Sequence, residues 1–113
     1  MNTEITYLYR DAENYKKWNT VIINNLISMD DILPFLFEKQ FFIPSEIGFP
    51  DLNNHKFRHY DHVWHEIFEV LPTSVTASLP IDAIMLIAAF RKAYIVNWKV
   101  TNILDKKMFS YEA

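Results

Sequence analysis

From Ile81 to Phe90 only Asp82 is polar. A helix that is apolar on every side must be covered on every side. One face of a small sheet cannot do that, so this helix is expected either to sit at the centre of its own chain or to meet a second copy. The simplest second-copy arrangement is a C2 homodimer through Ala83 to Phe90. Beyond Arg91 the pattern turns amphipathic. Tyr94, Ile95, Trp98 and Leu104 are set against Arg91, Lys92, Lys99, Lys106 and Lys107, and basic residues suit a helix C-terminus. The spacing predicts a long helical region over 80–107, with Ser78 as its cap and Pro80 in its first turn.

Strands precede it. Ile5-Thr6-Tyr7-Leu8-Tyr9 and Thr20-Val21-Ile22-Ile23 are β-branched and aromatic, which favours strands over 4–9 and 20–24. The polar residues Asp11 to Asn19 read as a long connecting loop. A short helix is expected over 31–39, capped by Asp30 or Asp31, with Pro34 in its first turn. Phe41-Phe42-Ile43 before Pro44 reads as extended. Residues 60–71 fit two periods: a helical stripe through Tyr60, Val63 or Trp64, Ile67 or Phe68, and Leu71, with Asp61 as cap, and an alternation of His62, Trp64, Glu66 and Phe68 against Val63, His65, Ile67 and Glu69. The strand, over 62–70, is preferred because two strands alone are marginal. The fold class expected is α+β, one domain of 113 residues with a small antiparallel sheet packed by a short helix and the long C-terminal helical region.

Composition closes several chemistries. There is no cysteine, so disulfides, thiolate-bound zinc and thiol catalysis are excluded. Gly48 is the one glycine, too few for a phosphate-cradling loop. Asn24-Asn25 and Asn53-Asn54 are the natural substitutes where a positive φ is required. Half the residues are apolar, enough for a core. A net charge of −3 argues against general nucleic-acid binding. Met1 to Glu13 has three acids and no apolar run, unlike a signal peptide, and no stretch is long enough to span a membrane. The expectation is a soluble, cytoplasmic protein. Abundant Asn, Ile and Lys point to an AT-rich genome, of a bacterium or its phage.

Chemistry concentrates in His59-Tyr60-Asp61-His62-Val63-Trp64-His65-Glu66. One reading makes His62, His65 and Glu66 ligands of Zn²⁺ or Mn²⁺, joined by His55 or His59, although no His-Glu-x-x-His motif is present. Another pairs His65 with Asp61 or Glu66 as acid and base. A third makes the cluster structural, packed on Trp64 and Tyr60. Separately, Arg10, Lys16 and Lys17 lie among Tyr7, Tyr9, Tyr15 and Trp18, supplying charge for a phosphate and ring faces for a base. The phenylalanines at 35, 37, 41, 42 and 49 read as core, or as a partner-binding patch where exposed.

Three fragments, Tyr7 to Lys16 with its Tyr-Arg-Asp-Ala run, Phe42 to Leu52 with Phe-Ile-Pro-Ser, and Asp61 to Glu66, together resemble a family of short uncharacterised bacterial and phage proteins. The match spans residues 1 to about 70 and is weaker over the C-terminal helix. The resemblance carries no activity with it, but it implies that the three fragments form one site or one structural unit. The function expected is a non-enzymatic binding or inhibitor protein acting on a host protein or a small nucleotide, without a cofactor. Its candidate contact residues are Arg10, Asp11, Tyr15, Lys16, Asp61, His62, Trp64, His65 and Glu66. The alternative is a metal-dependent hydrolase built on the cluster at 59–66.

Overall fold

The computed structural model describes residues 1–53 and 57–99. The fold is α+β: four antiparallel strands, in the order β2-β1-β4-β3, with helices and loops packed on one face. Strand β1 (Asn2–Arg10) lies between β2 (Lys16–Ile23) and β4 (His65–Thr73). Strand β3 (Phe41–Phe42) adds two residues at the β4 edge. Residues 60–71 therefore follow the alternating period rather than the helical one.

Period-2 alternation divides β1 between two faces. Ile5 and Tyr7 point into the core with Val21 and Ile23 of β2, and all four are buried. The opposite face carries Glu4, Thr6 and Leu8. Between Thr6 and Tyr7 the pairing with β4 slips: Thr6 faces Glu69 while Tyr7 faces Ile67. Phe68 is the extra residue of this β-bulge. The bulge resets the alternation, so Val70 joins the core side, opposite Ile5, instead of sharing a face with Phe68. Phe68 meets Trp18 of β2 edge-on, ring centres 5.1 Å apart, on the face where Leu8 is buried.

The first hairpin is tighter than the sequence suggests. Lys16 already pairs with Arg10, so β2 begins four residues before the expected 20–24. Asp11 explains this. Its Oδ1 accepts the N–H groups of Glu13 (2.9 Å) and Tyr15 (3.0 Å), and Asn14 takes φ +69°. An Asx-type clip of this kind closes a turn without glycine. Of the asparagines expected at positive φ, Asn25 is there (+69°), whereas Asn24 and Asn53 are not, and residue 54 lies outside the described residues.

The expected helix over 31–39 is shorter and earlier. Helix α1 (Met29–Ile32) runs into a 3₁₀ turn, Leu33–Phe35. Ser28 starts it, its N–H and Oγ both donating to Asp31 Oδ2 (2.8 and 3.2 Å), so Asp31 closes the cap from inside the helix. Glu38 and Lys39 then take positive φ, and the chain reverses into β3.

Helix α2 (Ala83–Ile95) replaces the expected helix over 80–107. Its cap is Asp82, which accepts the Met85 N–H at 2.8 Å, not Ser78. Ser78 instead ties the chain to β2: its N–H donates to Ile22 O, and its Oγ accepts the Ile22 N–H, each at 2.8 Å. Asn24 exchanges backbone bonds of 2.9 Å with Ile81 O and Ala83 N, so residues 78–83 lie along the β2 edge.

The helix ends because Asn97, Trp98 and Lys99 turn left-handed, with φ of +51°, +62° and +50°. Each such residue costs about 1–2 kcal/mol. Trp98 offsets this. It is 1% exposed, its Nε1 donates to Phe35 O at 3.2 Å, and a buried tryptophan contributes roughly 4–6 kcal/mol by area. Residues 100–107 of the expected helix lie outside the described residues.

Nor is α2 covered on all sides. Ala83, Leu86, Phe90 and Ala93 are buried, while Ile84 is 79% and Ile95 73% exposed. Among the phenylalanines expected in the core, Phe42 and Phe49 are fully enclosed and Phe35, Phe37 and Phe41 are half-buried. Among the described residues no helix is long and apolar enough to cross a membrane.

Trp98→Ala should lower the unfolding free energy by about 3–5 kcal/mol in denaturant titration, because it empties a core position and removes the bond to Phe35. A loss below about 1 kcal/mol would show that the left-handed turn does not anchor α2.

Candidate functional site

The three fragments singled out in the sequence converge at the hairpin end of the sheet. Tyr7 and Tyr9, inward-facing neighbours on β1, each reach a loop. Tyr7 donates its hydroxyl to Pro50 O and Tyr9 donates to Asp61 Oδ1, both at 2.6 Å. Ala12 N–H donates to Tyr60 O at 3.0 Å, holding the hairpin turn against the same loop. Asp61 also accepts the Arg58 N–H on Oδ2 (2.9 Å), so both its oxygens face inward bonds.

His65 is 1% exposed, and backbone groups engage both its ring nitrogens. The Leu52 N–H donates to Nε2 at 3.2 Å, which places the proton on Nδ1, 3.2 Å from Val63 O. Asp51 Oδ1 lies 3.4 Å from Nε2. His62 is engaged in the same way. Its Nε2 lies 2.6 Å from Arg10 O, and its Nδ1 accepts the Trp64 N–H at 3.0 Å. The two histidines staple the loop before β4 to its surroundings.

The structure does not gather His62, His65 and Glu66 around a point. Glu66 turns outward to Arg10 Nε (3.1 Å) and Gln40 Nε2 (3.4 Å). Among the described residues no group of three or more His, Asp or Glu side chains could hold a metal ion. His59 packs edge-on against Tyr60, and His55 lies outside the described residues. Trp64 stacks flat on Phe37, ring centres 4.4 Å apart.

Two hollows flank the turn at Asp11. A cleft of about 310 Å³ is lined by Tyr9, Asp11, Tyr15, Lys16, Lys17, Arg58, Tyr60 and Asp61. A second hollow, of about 360 Å³, involves Arg10, Asp11, Gln40, Phe41, His62 and Glu66. The candidate residues therefore separate. Asp11, Tyr15, Lys16 and Asp61 belong to the cleft; Arg10, Asp11, His62 and Glu66 belong to the second hollow; Trp64 and His65 line neither.

Within the cleft the charges are sorted. Asp11 and Asp61 accept protein hydrogen bonds, whereas Lys16, Lys17 and Arg58 are exposed. Tyr15 is 76% exposed, and Arg58 donates to the Tyr60 hydroxyl at 2.8 Å. Sequence reasoning brought Tyr15, Lys16 and Lys17 together, named Tyr60 only as a ring for the histidine cluster to pack on, and passed over Arg58. Their signal was the Phe57-Arg58-His59-Tyr60 run, basic and aromatic, just upstream of Asp61. Tyr7 and Trp18, grouped with the hairpin cations in the sequence, sit in the core and on the opposite sheet face.

No family model, no curated protein and no solved structure matches the chain.

The tyrosine clasps titrate in a defined direction. Burial first, and the bond to Asp61 second, push the Tyr9 hydroxyl well above its usual range. Burial likewise raises Tyr7, helped by the Asp51 charge and opposed by the Asn19 side chain. In the unfolded chain a tyrosine loses its proton near pH 10. The folded chain holds these protons more tightly, so their contribution is intact below about pH 10 and is lost as pH rises beyond it. Tyr9→Phe should cost about 1.5–3 kcal/mol at pH 7 and make the decline above pH 10 shallower. A melting series from pH 7 to 11 tests both; an unchanged alkaline slope would remove Tyr9 from the account.

His65→Ala should lower stability by about 1–3 kcal/mol, since it strands the Leu52 N–H and Val63 O. The measurement is chemical denaturation at pH 7, and an unchanged midpoint would show that the two bonds are dispensable.

Proposed function

We propose that the chain is a small non-enzymatic binding protein that sequesters a small nucleotide in the cleft between the first hairpin and the Arg58–Asp61 loop. The observation that carries this reading is the sorting of charge: Lys16 and Lys17 are exposed in the cleft lining beside tyrosine rings, Arg58 is held on the Tyr60 hydroxyl, and both carboxylates are held by protein donors. Exposed cations are what phosphate oxygens need, and Tyr15 and Tyr60 offer faces on which a base can stack. A volume of about 310 Å³ is at the small end for ligand sites, which fits a mononucleotide better than a polymer. The net charge of −3 favours a compact ligand over a long polyanion.

Binding rather than turnover is supported by His62 and His65, whose ring nitrogens are engaged with backbone groups, and by the Asp61 carboxylate, which accepts from the Arg58 N–H and the Tyr9 hydroxyl. A general base needs an open lone pair within reach of the proton it takes.

Calorimetric titration with purine and pyrimidine mono-, di- and triphosphates tests the reading. We expect at least one to bind with a micromolar dissociation constant. Arg58→Ala and Lys16→Ala should each weaken it about 10-fold or more, the size of a charge-assisted hydrogen bond. If none binds at 1 mM, or if the two variants bind as the wild type does, the nucleotide reading fails.

A further inference from the structure

The two edges of the sheet are finished differently. Beyond Glu66, where β3 ends, the β4 edge is interrupted twice. The bulge at Phe68 breaks its repeat, and Pro72, whose ring nitrogen faces away from β1, has no N–H to offer. The β2 edge is closed at one end only. There Ile22 and Asn24 turn N–H and C=O groups outward to Ser78, Ile81 and Ala83. Backbone groups along an antiparallel strand alternate in direction with period 2. β2 pairs with β1 without a bulge, so Lys16, Trp18 and Thr20 direct their N–H and C=O groups the same way as Ile22. Among the described residues no strand or strip meets them there.

This open stretch, about 13 Å long, is basic and carries an exposed ring. Lys16 and Lys17 are exposed, and Trp18 is 51% exposed. No acid lies between Lys16 and Thr20. The exposed Glu13 belongs to the turn before them, and Arg10, opposite Lys16, is already paired with Glu66. Lysines at an edge deter a strand of like charge. The same charge attracts an acidic strand, which sets carboxylates across from the lysines at cross-strand distance. A second copy of this chain fits less well, because it brings its own 78–83 strip on the same edge. Antiparallel pairing of two β2 strands through Trp18 would run each strip into the other's Asp11–Tyr15 turn.

We infer that the Lys16–Thr20 edge of β2 takes an extended acidic segment of another protein as a fifth strand, continuing the row that residues 78–83 begin. Strand addition of this kind draws affinity from main-chain bonds and specificity from alternate side chains. The edge shares Lys16 and Lys17 with the cleft of the nucleotide reading, but it rests on main-chain bonding that a nucleotide does not need.

Amide hydrogen exchange followed by NMR reads the edge without any nucleotide. In the free protein the N–H groups of Lys16, Trp18 and Thr20 should exchange at least about 10-fold faster than those of Lys17, Asn19 and Val21, which face β1. The probe is an acetylated and amidated nine-residue peptide that alternates glutamate with valine, and its control alternates lysine with valine. At 1 mM the acidic peptide should slow the three outward amides at least about 3-fold, and the basic one should leave them unchanged. Thr20→Pro removes an outward N–H, a change that edge strands tolerate, and should weaken the acidic peptide at least about 10-fold with an unchanged circular dichroism spectrum. If that variant misfolds, Lys16→Gln with Lys17→Gln, both on exposed side chains, should give the same loss of affinity. Outward amides that the acidic peptide leaves unprotected would overturn the inference. Equal protection by both peptides would overturn it as well, since the charge would then select nothing. So would protection that appears in the protein alone as its concentration rises, which would assign the edge to a second copy.

Discussion

The two tyrosine hydroxyls of β1 hold the hairpin end of the sheet to the loops around it. The described residues within 43–64 are mostly irregular, apart from a short 3₁₀ turn at Pro44–Glu46. A segment of that kind has few backbone ladder bonds to fix it. Tyr7 and Tyr9 supply the missing constraint from β1, which is paired along nearly its whole length with β2 on one side and β4 on the other. Their bonds to Pro50 O and Asp61 Oδ1 carry the geometry of the sheet into the loops. His65 performs the reverse service, reaching from the start of β4 to Leu52. The irregular segment is thereby clamped from two neighbouring strands, and the cleft forms where its far end meets the hairpin turn.

That clamp also sets the electrostatics of the cleft. A carboxylate beside a phosphate site would repel the ligand. In the proposed nucleotide cleft Asp11 and Asp61 keep their charge, but each is held by neutral protein donors, Asp11 by the N–H groups of its own turn and Asp61 by the Tyr9 hydroxyl and the Arg58 N–H. The same bonds that position the backbone thus turn negative charge inward, leaving lysine, arginine and tyrosine at the rim. One set of interactions fixes shape and polarity together.

Much of the sheet was legible in the sequence, because β-branched and aromatic runs with period 2 are local signals. The existence of β1, β2 and β4 and their antiparallel character followed from them. Their ends were not legible. The β2 start depended on whether Asp11 would clip the turn, and Lys16 to Trp18 look like loop because they are exposed even as strand. The bulge at Phe68 was invisible, since it arises from how β4 meets β1. The end of α2 was missed for a different reason. Nothing local to Asn97-Trp98-Lys99 breaks a helix as proline would; the distant core recruits Trp98 and bends the chain to receive it. At the cleft, the sequence had singled out Asp11, Tyr15, Lys16 and Asp61 among the residues that line it. Its histidines drew attention as reactive groups, although the ring nitrogens of His62 and His65 serve the backbone, and the division of the candidates between two hollows needed the register.

The strip of chain along β2 bears on the order of assembly. The first hairpin closes a turn a few residues long, whereas Ser78 reaches Ile22 across 56 residues of sequence. Loop-closure entropy makes such a distant contact a late event, so β2 spends part of folding as a bare edge. A bare edge is a template for pairing with any other strand. The hairpin end of β2 carries Lys16 and Lys17, and charge at an edge discourages such pairing. The lysines that face the proposed ligand in the finished protein thus also keep unfinished molecules apart.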